Sequence, residues 1–168
     1  MSLLKKTIKD ISYGNRITAA IRIVMGLLFV FSGFFKVIDP EAFSKIIIMY
    51  DIIPLVLVPY CAIVVPVLEL LLGILLVAGY KVKASAFISM ILMIMFSIFI
   101  AINIYRGASF DCGCFELNRL GLGFDETLSI KLVIRDIILL LLFLIVFRAK
   151  RNVFSLEGII EKASLKDI

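Results

Sequence analysis

The sequence predicts an all-α membrane protein: a four-helix transmembrane bundle with a short interfacial helix after the first span and an outward-facing Cys-Gly-Cys loop. Three observations carry that class. The chain is 62% hydrophobic, well above the roughly 45–50% of soluble domains. Its apolar residues fall into four runs, Ile17 to Val37, Leu55 to Ala78, Ala84 to Ile104 and Ile130 to Phe147, each close to the ~20 residues that cross a bilayer as a helix. The basic residues gather at the edges of those runs, without the clustering and interleaved aromatics of a nucleic-acid interface, so the formal charge of +5 is a topology signal.

The first run reads as a retained span. It is longer than a signal-peptide core, and "FFKVIDPEAF" after it has no small-x-small cleavage site. Lys5, Lys6, Lys9 and Arg16 precede it, Lys81 and Lys83 fill the second connection, and Arg148, Lys150 and Arg151 follow the last run. The other two connections mix signs. Both termini are therefore expected in the cytoplasm of a bacterium, with the chain in its inner membrane and the loop FDCGCFE outside, where disulfides persist. This divides the chain into a cytoplasmic amphipathic N-terminus (1–16), a membrane domain (17–147) and a cytoplasmic amphipathic tail (148–168).

The first outward connection, "DPEAFSKIIIMYDIIP", predicts a helix of its own. Asp39 caps it, Pro40 opens it, and Phe43, Ile46, Ile47 and Tyr50 share one face. Lying on the interface and stopped by Pro54, it is the interfacial helix. At the chain ends, Leu4, Ile8 and Ile11 form one anchoring stripe, and Val153, Leu156, Ile160 and Ala163 another.

Charges within the spans are costly unless paired. Arg22 in the first span and Glu69 in the second differ in depth by roughly 9 Å at ~1.5 Å per residue. Arg22, Gly26, Phe29 and Gly33 form one stripe and Ala62, Pro66, Glu69 and Gly73 another. Small residues let helices approach closely, so the stripes are expected to meet and Arg22 to pair with Glu69. That pair fixes packing, or else opens a proton or substrate path through Glu69. In the fourth span Asp136 is expected to turn inward and Arg135 outward, within reach of the cysteine loop, where it can stabilise a thiolate or an anionic reduced ligand.

Cys112 and Cys114, one glycine apart, can close only a tight ring, and Gly113 eases its strain. Strained, exposed disulfides are oxidising and labile, so the pair suits electron exchange; a purely structural bridge is the alternative. Cys61, one to two turns into the second span, is a candidate resolving thiol or a bridge partner for either. A structural zinc or an iron–sulfur cluster wants four ligands, and the chain has three cysteines and no histidine; no metal is expected. Asp111 and Glu116 work against a thiolate, and Arg106, Arg119 and Arg135 work for one.

The segments "RIVMGLLFVFSGFFKVIDPEAF", "YDIIP", "PVLELLLGILLVAGY", "YRGASFDCGCF" and "VIRDIILLLL" together resemble the MauE/DoxX-like family of redox-associated membrane proteins, over residues 16 to 147. Glu116 departs from the pattern, which has glycine there. The resemblance implies four membrane helices, with Cys112 and Cys114 as the redox centre and Arg22, Lys36, Asp39, Pro40, Glu69 and Arg135 as pattern positions. For the methylamine-utilisation branch it implies maturation of, or disulfide formation in, an exported dehydrogenase subunit.

The reading that results is a bundle exchanging thiols and disulfides on the extracytoplasmic side for an exported partner. Cys112 and Cys114 are the exchanging pair, Cys61 is a candidate resolving thiol, and a membrane quinone or an exported thioredoxin-like thiol protein is the electron partner, with no direction of electron flow set by the sequence. Two rivals use other residues: a non-catalytic subunit of an oxidoreductase complex needs the loop only for shape, and a small-solute transporter depends on Arg22 and Glu69.

Overall fold

The computed structural model of the chain describes residues 2–108, 110, 112 and 129–149, and side chains from residue 16 onward. The described secondary structure is entirely helical: α1 (Ser2–Ile38), α2 (Pro40–Tyr50), α3 (Val58–Ala78), α4 (Val82–Tyr105) and α5 (Ile130–Arg148), with a 3-10 turn over Leu55–Leu57.

The amphipathic N-terminus and the first apolar run form one helix of 37 residues, about 55 Å at ~1.5 Å per residue. Only Arg16–Ile38 is apolar enough to cross a membrane. The helix stops at Asp39 because the residue before a proline is pushed out of helical geometry, and Asp39 then starts α2. Its Oδ1 accepts from the Ala42 N–H at 3.0 Å, and Pro40 occupies the first turn.

The end of α2 differs from expectation. Pro54 does not stop it. Asp51, at φ 48°, closes the helix three residues earlier by donating its N–H to the Ile48 carbonyl at 3.0 Å, and Pro54 precedes the 3-10 turn instead. At the far end of α3, Gly79 takes φ 72°, and the N–H groups of Gly79 and Tyr80 return to the Leu75 carbonyl. This Schellman-type closure is open to a residue without a Cβ.

Packing runs in a ring: α1 on α3, α3 on α4, α4 on α5 and α5 on α1, with α1–α3 the most extensive contact. The two stripes of small residues do meet. A Cβ on Gly33 would lie 2.7 Å from the Leu70 nitrogen and 2.8 Å from the Pro66 carbonyl, and one on Gly73 2.6 Å from the Val30 nitrogen. With Gly26 facing Gly73 and Val77, the register is antiparallel. Edge-on packing of Phe29 against Phe143, centroids 5.2 Å apart, ties α1 to α5.

Outside this contact the surface stays apolar: Leu27, Ile63, Ile91 and Ile138 are all more than half exposed. A surface of that kind is solvated by lipid, and backbone buried in hydrocarbon has to satisfy itself as helix does. Three segments are long and apolar enough to span, Arg16–Ile38, Leu55–Ala78 and Val82–Tyr105. The chain is an integral membrane protein in contact with the bilayer. α5 carries Lys131, Arg135, Asp136 and Arg148 and is not among the three.

Candidate functional site

Two neighbouring groups of polar residues lie toward the α2 end of the packed helices. The first is ionic. Lys36 on α1 is fully buried, and its Nζ donates to both oxygens of Glu69 on α3, at 3.1 and 2.9 Å. Ser32, one turn earlier on α1, donates to Glu69 Oε2 at 3.2 Å. The ammonium also sits 5.0 Å from the centre of the Phe43 ring and 5.5 Å from that of Phe96. Ring faces attract a desolvated cation by roughly 2 kcal/mol, so α2 and α4 help to hold the charge that α1 brings in.

Glu69 thus takes a different cation from the one its stripe suggested. The antiparallel register sets Glu69 beside Ser32 and Lys36. Arg22 lies ten residues before Ser32 on α1, about 15 Å away at ~1.5 Å per residue. The stripes meet, but Arg22 sits too far down to reach. Arg22 is itself fully buried, near the Gly79 end. Lys36 was reachable from sequence: it extends the Gly26–Phe29–Gly33 stripe by three residues.

The second ion pair is on α5. Asp136 is buried, and its Oδ1 accepts from Arg135 Nε and Nη2 at 3.1 and 3.0 Å. Ser97 on α4 donates to Oδ2 at 3.2 Å. Asp136 does turn inward as the sequence suggested, and the partly exposed guanidinium of Arg135 folds back onto it. Two cations balance two carboxylates here, and each carboxylate has a serine hydroxyl beside it.

The other group surrounds Cys112. This residue is 2% exposed and packs with Tyr50, Ile100 and Leu132. The Tyr50 hydroxyl donates to the Cys112 carbonyl at 3.1 Å, and the Phe110 ring stands edge-on to Tyr50 at 5.1 Å. Tyr50 is fixed in turn. Asn103 Nδ2 donates to its carbonyl at 3.1 Å, and Arg106 Nη1 to the Asp51 carbonyl at 3.3 Å. The last turn of α4 therefore clamps the end of α2, and α2 holds Cys112. Sequence reasoning placed Tyr50 on one face of α2 with Phe43, Ile46 and Ile47 but gave no signal for its bond to the Cys112 carbonyl, which spans 62 residues.

Cys61 belongs to a separate apolar cluster with Phe43, Ile47, Val58 and Ala62, and no disulfide joins it to Cys112. Gly113 and Cys114 lie outside the described residues, as do Asp111, Glu116 and Arg119.

Fold and site together define a polytopic helical membrane protein with paired charges buried beside an anchored cysteine. Over residues 14–149 the chain matches the family described as Methylamine utilisation protein MauE, and it belongs to that family. Among its relatives, the Methylamine utilization protein MauE of Paracoccus denitrificans is 31% identical over 121 residues. The match takes in 71% of this chain and 62% of that relative's length. No solved structure matches.

Proposed function

We propose that this chain exchanges thiols and disulfides on the extracytoplasmic side of a bacterial inner membrane, assisting disulfide formation in an exported partner. The observation that carries this reading is the anchoring of Cys112, held by the Tyr50 hydroxyl in a pocket of Tyr50, Ile100 and Leu132. A cysteine fixed to rigid helices can keep one sulfur in place while its neighbour meets a partner. Cys112 is the shielded thiol of the pair, and Cys114 is the one that reaches the substrate.

In the forward step a partner thiolate attacks the Cys112–Cys114 disulfide at Cys114 and Cys112 leaves as thiolate. The second partner thiol then displaces Cys114. The partner gains a disulfide, and the pair gains two electrons and two protons. A membrane quinone, reduced to quinol, or an exported oxidised thiol protein takes them up. Cys61 sits in a different cluster, so its part is resolving at most. The relative's name supports a role in methylamine utilisation; help in maturing an exported protein of such a system is the part this reading gives the chain.

The topology that goes with this reading has α5 as the fourth span, packed on α4 and α1 with Arg135 paired to Asp136, both termini cytoplasmic and α2 at the outer interface. The test is the thiol state of Cys61, Cys112 and Cys114 in intact membranes, followed by mass-shift alkylation before and after an impermeant reductant. Cys112 and Cys114 should change state together and recover once the reductant is removed, with Cys61 constant. A pair that stays in one state throughout contradicts the proposal.

A further inference from the structure

A small cavity of ≈ 20 Å³ lies between the two ion pairs, lined by Ser32, Glu69 and Asp136 on its polar side and by Phe29, Leu92, Met93 and Phe96 elsewhere. The polar groups come from α1, α3 and α5 and the rest of the wall mainly from α4, so all four helices of the ring face one space. A buried water needs about 10–15 Å³ on this measure and two to four polar partners. This space is large enough for one and too small for an organic ligand.

The hydrogen bonds around it are complementary to a water. Glu69 and Asp136 are acceptors, and the bonds to Lys36, Ser32, Arg135 and Ser97 leave lone pairs on both carboxylates. A water brings two donors, one for each carboxylate. A metal cation would lack a full shell of oxygen ligands in an otherwise apolar wall, and the two carboxylates are already neutralised by Lys36 and Arg135.

We propose that this cavity is a binding site for a single water, which donates to Glu69 and Asp136 and joins the Lys36–Glu69 and Arg135–Asp136 pairs into one hydrogen-bonded unit. This site does not depend on the thiol chemistry.

The wild-type protein in a well-diffracting crystal should show one density peak within hydrogen-bonding distance of both Glu69 and Asp136; an empty cavity overturns the proposal. In reversible unfolding, Glu69→Gln and Asp136→Asn should be non-additive by about fivefold or more in the unfolding constant, as for groups in one network. Leu92→Phe, which fills the cavity, should reduce that coupling to below about twofold. Additive effects in the wild-type background, or coupling that survives Leu92→Phe, overturn the bridging role. Should Leu92→Phe not fold, the wild-type crystal decides.

Discussion

Lys36 and Glu69 form a buried ion pair across the α1–α3 contact, 2.9 Å apart, with the ammonium wholly removed from solvent. The pair sits where Gly33 brings the two backbones into contact, so close packing and charge pairing depend on the same register. Removing one partner strands the other charge in an apolar interior, which for buried pairs costs about 3–5 kcal/mol. Lys36→Met and Glu69→Gln should each destabilise by that order in reversible unfolding. The double change Lys36→Met/Glu69→Leu should recover much of the loss. Arg22→Met and Glu69→Gln should add without coupling, since ten residues of α1 separate Arg22 from Ser32.

Close approach of α1 and α3 leaves no space for a methyl group at Gly33 or Gly73, where the nearest atoms are backbone. Gly33→Ala and Gly73→Ala should each cost about 1–3 kcal/mol through overpacking, read as a lowered melting temperature. Gly107, whose side-chain direction is open, serves as the comparison for space alone. Its φ of 73° still favours glycine, so Gly107→Ala should cost only the backbone term.

Tyr50→Phe removes one hydroxyl and leaves the ring on Phe110 and Phe99. The buried Cys112 carbonyl loses that donor, a penalty of about 1–3 kcal/mol for such a group. The loop should loosen locally. Maleimide labelling of Cys112 in reduced membranes should accelerate about tenfold while the melting temperature moves little. Unchanged labelling would mean that the hydroxyl does not hold the loop.

Topology is open to a direct check with single cysteines in a Cys61/Cys112/Cys114→Ser background. Tyr105→Cys, at a residue 93% exposed, should react with an impermeant maleimide added outside intact cells. Lys83→Cys, exposed in the first turn of α4, should react only after lysis. The opposite pattern reverses the orientation and removes the oxidising compartment from the account.

The helical class was legible in the sequence because apolar runs of spanning length have few alternatives. The cap at Asp39–Pro40 was legible because it is local chemistry. The meeting of the glycine stripes was also visible, since periodicity reports which face is small. What periodicity cannot report is register. Lys36 lies fourteen residues beyond Arg22, roughly four turns at ~3.6 residues per turn, and the register between antiparallel helices decides which of the two Glu69 faces; the glycine contacts fix it at Lys36. The premature end of α2 escaped because Asp51 closes it in a left-handed conformation more typical of glycine or asparagine. The clamp from Asn103 and Tyr50 onto Cys112 escaped because it joins three distant segments.

The central claim is that the cysteine loop exchanges electrons and does not merely staple the fold. It is tested most directly by measuring, on the same Cys112→Ser sample, the melting temperature and the thiol state of the exported partner. If Cys112 and Cys114 exchange, the melting temperature holds within a few degrees and partner oxidation per folded molecule is lost, because Cys114 alone can form no disulfide for a partner thiol to attack. If the melting temperature falls while partner oxidation per folded molecule is unchanged, the pair is a structural bridge and the exchange account is wrong.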